Sequence, residues 1–248
     1  MYKINHLEEI GSTNSELKRL ALSGAPSGTV LIADRQTAGR GRMGRSFFSP
    51  PGSGLYLSVL VRPVTLSDAG LLTTFTAVAV ARALARHGID VGIKWVNDLV
   101  LCDRKLCGIL AESGVYEGET FAVIGIGVNL KKCAFPDDLS TIAISVEEAL
   151  GTAPDRDVLA DDILAALAEI DLRQPRNPAA LMDEYRRRSV TVGRPIRVLP
   201  HADEAYEATA IGIADDGSLT VQTPDGRTRS VSSGEVSIRA INKCMGGK

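Results

Sequence analysis

Gln36-Thr37-Ala38-Gly39-Arg40-Gly41-Arg42-Met43-Gly44-Arg45, followed by Phe47, Phe48, Ser49 and Pro50, is the stretch on which the fold class turns. Gly39, Gly41 and Gly44 satisfy the G-x-G-x-x-G spacing of a dinucleotide-binding turn, which would make the chain a doubly wound parallel sheet. That motif needs a helix to open at once, because the pyrophosphate rests on the helix N-terminus. Here Pro50-Pro51-Gly52-Ser53-Gly54 breaks the chain, and Leu55 to Val61 then reads as a strand. The Rossmann reading fails. A kinase glycine loop fails as well, since no H-R-D or D-F-G triplet follows. What remains is a strand-to-strand connection with three arginines and three glycines. Such a loop suits a phosphate or carboxylate, with backbone N–H groups turned inward where a Cβ would block the approach. A solvated basic hairpin tip is an equal alternative for the segment alone.

The 248 residues, 44% hydrophobic and 23% charged, describe globular material with room for one large domain or a large and a small one. A net charge of -2 provides no general field for nucleic acid, so the loop arginines are a local device and no DNA-binding face is expected. Met1 to Ile10 has no apolar run of a secretory signal, and no later stretch is apolar for long enough to span a bilayer. The expectation is a cytoplasmic protein without membrane contact. Cys102, Cys107, Cys133 and Cys244 lack C-x-x-C spacing, and His6, His87 and His201 are scattered. Reduced thiols, ordinary histidines and no protein-held metal follow.

Along the chain, Ile4 to Ile10 reads as a strand, and Thr13 with Glu16 has capping-box spacing for a helix through Leu17, Leu20 and Ala21 that ends at Gly24. Thr29 to Ala33 delivers the arginine loop, with Leu55 to Val61 as its antiparallel partner. Ser67 caps a long helix, apolar nearly all round, that closes at His87-Gly88. Val91 to Leu101 reads as an interrupted strand in which Lys94 and Asp98 form a solvated pair, and Asp103-Arg104 fits a turn into Arg104 to Leu110. On an edge strand, Lys105 would merely deter aggregation. Gly125 and Gly127 mark a close backbone approach within the strand from Phe121 to Leu130. Helices follow at Leu159 to Ile170 and after Asn177-Pro178. Short strands after Arg188, with turns at Asp216-Gly217 and Asp225-Gly226, predict a small barrel and a boundary near residues 188 to 194.

Five stretches in this order carry a resemblance: Ser12-Thr13-Asn14, Gln36 with Gly39 to Arg45, Lys94-Trp95-Val96-Asn97-Asp98, Arg104 to Leu110, and Gly125-Ile126-Gly127-Val128-Asn129. The sequence resembles the bacterial biotin-protein ligases of the form lacking an N-terminal DNA-binding domain. The resemblance implies an α+β fold with a mixed-sheet catalytic domain over residues 1-190 and a small SH3-like C-terminal barrel over 191-248. It implies that biotin is activated by ATP and Mg²⁺ to biotinyl-5'-AMP and passed to a lysine of a biotin carboxyl carrier protein of an acyl-CoA carboxylase. A homodimer stays open.

By the same resemblance, Lys105 and Arg42 are catalytic. Ser12, Thr13, Asn14, Gln36, Arg40, Gly41, Arg42, Lys105 and Gly108 bind biotin. Arg40, Arg42, Arg45, Phe47, Asn97 and Asn129 lie on the nucleotide side, with Phe47 stacking on adenine where relatives often carry Trp. Val96 stands where the family usually has proline, and Cys107 where a small residue is common. A lipoate or octanoate ligase or transferase on the same fold is the nearest alternative; the polar set Ser12, Thr13 and Gln36 favours a hydrogen-bonding head over an aliphatic chain. A nucleic-acid-binding module is more distant, with aromatics at only 4%.

Overall fold

A computed structural model describes residues 2–64, 69–199, 204–232 and 235–238. The Ser67 cap, His201 and Cys244 lie outside the described residues. In chain order the elements are β1 (Lys3–Ile10), α1 (Thr13–Ala21), β2 (Thr29–Gln36), β3 (Gly54–Val61), α2 (Ala69–Arg86), β4 (Gly92–Lys94), β5 (Asp98–Leu101), β6 (Arg104–Tyr116) and β7 (Glu119–Asn129). Then come α3 (Asp137–Ser140), α4 (Val146–Leu150), α5 (Arg156–Ile170), α6 (Pro178–Arg188), β8 (Pro195–Leu199), β9 (Tyr206–Ile213), β10 (Leu219–Gln222), β11 (Thr228–Val231) and β12 (Glu235–Ile238).

The first seven strands form one sheet in the order β1-β2-β3-β7-β6-β5-β4. β1 runs parallel to β2 and every other neighbouring pair is antiparallel, so the sheet is mixed. Its central strands are buried on both faces, and the period of two sorts their side chains between two cores. Val30 and Ile32 join the large core with α2, α5 and α6, whereas Leu31, Leu60, Phe121 and Val123 join a smaller one under Leu17 and Ala21 of α1. α2 is apolar nearly all round because it is packed by the sheet and by α5 and α6. The last five strands form a separate antiparallel sheet, β11-β10-β9-β8-β12. Among the described residues no helix is long and apolar enough to cross a membrane.

Five local readings are corrected. The cap of α1 is Ser12, not Thr13: Ser12 has extended backbone (φ -158°, ψ 130°) and its side chain accepts from the Ser15 N–H, while Thr13 is already helical. Val91 to Leu101 is a hairpin, not one strand, with Trp95-Val96-Asn97 at its tip and a cis peptide between Trp95 and Val96. Lys94 does face Asp98 across that hairpin, but the Asp98 carboxylate pairs with Lys105. β6 lies between β7 and β5, so Lys105 is no edge-strand guard. The turn into β6 is Cys102-Asp103, both at positive φ (51° and 58°), the conformation of a tight hairpin turn.

Candidate active site

The N-terminus of α1 lies against the middle of the mixed sheet, where a polar chain replaces apolar packing. The backbone N–H and the hydroxyl of Thr13 both donate to Gln36 Oε1, at 2.9 and 3.0 Å. This leaves the Gln36 amide nitrogen to donate to Ser49 Oγ at 2.9 Å. Ser58 is fully buried, and its hydroxyl lies 2.8 Å from Thr13 Oγ1 and 2.6 Å from Asn14 Oδ1. Asn14 then donates through Nδ2 to the Leu110 carbonyl at 3.2 Å and to Glu112 at 3.1 Å. Glu112 also takes the guanidinium of Arg40, at 3.0 Å. Every amide orientation in the chain is thereby set by a neighbour, as buried polar groups require.

Two strand glycines make room for this. A Cβ on Gly125 would lie 2.2 Å from Asn14 Oδ1, and one on Gly127 would lie 2.5 Å from the Phe47 ring. The close approach expected at these glycines is made by the protein's own side chains.

The arginine loop is a small self-bonded hairpin. Gly41 N–H donates to Arg45 O at 2.8 Å and Phe47 N–H to Gly39 O at 2.9 Å, around a single 3-10 turn at Arg42–Gly44. Gly39 is demanded by a close approach, since a Cβ there would fall 2.3 Å from Phe47 O. From this loop Arg42 donates to Asn97 Oδ1 at 3.2 Å, and Asn97 Nδ2 donates to the Ile109 carbonyl at 2.8 Å. Lys105 Nζ lies 2.7 Å from Asp98 Oδ1 and 5.8 Å from the centroid of the Phe47 ring. The ring meets Tyr56 edge-on, and burial pushes the Tyr56 hydroxyl up to about 12, so it remains protonated and able to donate. Cys107 is wholly buried under Lys105, and its thiol is pushed far up by desolvation.

One cleft gathers Ser12, Thr13, Asn14, Gln36, Arg40, Gly41, Arg42, Phe47, Asn97, Lys105 and Gly108. Arg45 and Asn129 are not among its lining residues. Asn129 instead donates to the Ile144 carbonyl at 3.2 Å and the Lys105 carbonyl at 3.5 Å, fastening the strand that carries Lys105. Phe47 spans Gly108 and Gly127 on the cleft wall. Sequence reasoning missed Ser58, Tyr56, Glu112 and the Asp98–Lys105 pair. Ser58 was detectable as the one serine in a strand of otherwise aliphatic and aromatic residues; Glu112 had no local signal, because its partners are far away in sequence. Among the described residues no three His, Cys, Asp or Glu side chains cluster as a metal site.

A mixed sheet with a small antiparallel companion makes this an α+β protein, and one cleft in it combines the polar chain around Thr13 and Gln36 with the cations Arg40, Arg42 and Lys105, a lining that offers hydrogen bonds to an uncharged group and positive charge to an anion. The chain belongs to the biotin/lipoate A/B protein ligase family, whose model matches residues 7–129, and the biotin protein ligase C-terminal domain matches residues 191–239. It is similar to the biotin--[acetyl-CoA-carboxylase] ligase of Mycobacterium tuberculosis, 36% identical over 242 residues, covering 94% of this chain and 88% of that protein. The bifunctional ligase/repressor BirA of Bacillus spizizenii is 35% identical over 225 residues, covering 88% of this chain and 68% of that one. Among solved structures, the biotin protein ligase of Aquifex aeolicus in complex with biotin and ATP superposes with a TM-score of 0.81 at 27% identity, covering 96% and 99% of the two chains.

Proposed function

We propose that this chain is an ATP-dependent biotin-protein ligase working from the cleft described above. Biotin's carboxylate oxygen attacks the α-phosphorus of Mg-ATP, pyrophosphate leaves, and biotinyl-5'-AMP results. A lysine amine of a biotin carboxyl carrier protein then attacks the acyl carbon, AMP leaves, and the amine loses a proton as the amide forms.

The carrying observation is the polar chain Gln36–Thr13–Ser58–Asn14 beside Arg42 and Lys105 in one cleft. A ureido head needs paired donors and acceptors, and Ser12, Thr13 and Gln36 offer them on rigid elements. An aliphatic lipoyl or octanoyl chain brings no ureido-like donors and acceptors to match this polar wall. Lys105, a compact cation, and Arg42 are assigned to the charge that builds between carboxylate and α-phosphate; Mg²⁺ arrives with the nucleotide as part of the substrate. Phe47, Asn97 and Arg45 are assigned to the nucleotide side, with Asn129 supporting Lys105 through its backbone. The division into residues 1-190 and 191-248 belongs to the same reading. No covalent enzyme intermediate is required; positioning and electrostatics carry the rate.

The test is transfer: purified chain, biotin, Mg-ATP and a carrier domain should give one biotinylated lysine by mass spectrometry. Lipoylation or octanoylation in place of biotinylation would overturn the assignment.

A further inference from the structure

The tip of the β4–β5 hairpin, Trp95-Val96-Asn97, has two sides. Toward residues that do not line the cleft, the Trp95 backbone N–H donates to Thr191 Oγ1 at 2.9 Å and its indole N–H donates to the Gly217 carbonyl at 2.9 Å. The Tyr185 hydroxyl donates to the Val96 carbonyl at 3.0 Å. Tyr185 comes from α6, Thr191 from the segment after it, and Gly217 from the β9–β10 turn of the second sheet. Trp95 N–H and Val96 C=O have no ladder partners at the hairpin tip, so these bonds satisfy groups that would otherwise be orphaned. On the cleft side, Asn97 accepts from Arg42 at 3.2 Å and Asp98 holds Lys105 at 2.7 Å. The hairpin therefore joins the C-terminal part of the chain to Arg42 and Lys105.

We propose that Tyr185 and Thr191 are positioning residues: with the Gly217 carbonyl they clamp the tip from outside, so that Asn97 and Asp98 present Arg42 and Lys105 in register with the reacting groups. The activity arm rests on the ligase reading above; the clamp itself does not. A displacement of about 1 Å at such a site costs on the order of a hundredfold in rate, which makes a single distant hydroxyl consequential. The hydrogen bonds of the head pocket join Thr13, Gln36, Ser58, Asn14, Leu110 and Glu112, and none of them is made by Tyr185, Thr191 or Gly217, so biotin affinity should be spared.

Tyr185→Phe and Thr191→Val are compared with Thr191→Ser, which retains the acceptor. Biotin-dependent ATP–pyrophosphate exchange should fall about tenfold or more in the first two and recover in the third, with biotin Kd held within twofold. In an Asn97→Ala background the cost of Tyr185→Phe should shrink, because the route to Arg42 passes through Asn97, while the route through Asp98 to Lys105 remains. An undiminished cost in that background, or a Kd weakened as much as the rate, would overturn the proposal. Trp95 is the only tryptophan in the chain, so acrylamide quenching of its emission reads the clamp without any turnover. Quenching should rise in Tyr185→Phe and Thr191→Val at a temperature well below melting; unchanged quenching in both rejects the clamp. Absence of exchange in the unaltered chain would count against the ligase reading, and quenching would still decide the clamp.

Discussion

Gly125→Ala adds one carbon where the structure has none to spare. The new Cβ would sit 2.2 Å from Asn14 Oδ1 and 2.9 Å from Asn14 Cγ, far inside contact distance. Asn14 cannot simply rotate away, for it is held by Ser58 at 2.6 Å, Glu112 at 3.1 Å and Leu110 O at 3.2 Å. Displacing it breaks these bonds, at about 1 kcal/mol for a neutral bond and about 1.5–3 kcal/mol for the one to the carboxylate. Some will re-form, so a net loss of about 2–4 kcal/mol is expected, or roughly 5–15 °C in Tm. The disturbance passes through Ser58 to Thr13 and Gln36, and biotin Kd should rise about tenfold or more, about 1.4 kcal/mol. Gly11→Ala is the control: it lies one residue from Ser12, yet a Cβ there meets nothing within 4 Å. Differential scanning calorimetry and isothermal titration with biotin make the comparison. If Gly125→Ala melted within 1–2 °C of the unaltered chain and bound biotin within twofold (~0.4 kcal/mol), the idea of a rigid, mutually oriented polar chain would be wrong.

Lys105→Ala should lower pyrophosphate exchange by at least roughly tenfold, the worth of a charge-assisted contact of about 1.5–3 kcal/mol, and should also leave Asp98 Oδ1 buried without its cation. Near-normal turnover would return Lys105 to a structural role. Arg42→Gly should still bind ATP but release the adenylate early, so that bystander proteins become biotinylated; streptavidin blotting of an added unrelated protein checks it, and no stray label would argue for a loop that does not retain the adenylate. Cys107, wholly buried and with its thiol pushed up by desolvation, should resist iodoacetamide at pH 8 while exposed Cys102 reacts within the same incubation. Peptide mapping distinguishes them, and equal labelling would mean that β6 opens readily.

Much of this architecture was legible because it is local. The Pro50-Pro51-Gly52-Ser53-Gly54 break ruled out a Rossmann turn, and Asp216-Gly217 and Asp225-Gly226 stand at positive-φ turns of the second sheet. The hairpin at Trp95-Val96-Asn97 was not legible, because Trp95 and Val96 are strand-favouring residues and a three-residue tip carrying them reads as one interrupted strand. Ser12 and Thr13 were ambiguous as caps until tertiary contacts assigned one hydroxyl to the helix and the other to Gln36. The cleft residues that share a sequence run were found together. Glu112, which joins Arg40 to Asn14 across 72 and 98 positions of chain, could be seen only after folding.

On the proposed function, the polar head pocket with Arg42 and Lys105 selects biotin for adenylation. Exchange of labelled pyrophosphate into ATP, run in parallel with biotin, lipoate and octanoate and without carrier protein, tests it most directly. Exchange should depend on biotin and stay close to background with either fatty acyl acid. Exchange driven by lipoate or octanoate, with biotin inert, would contradict it.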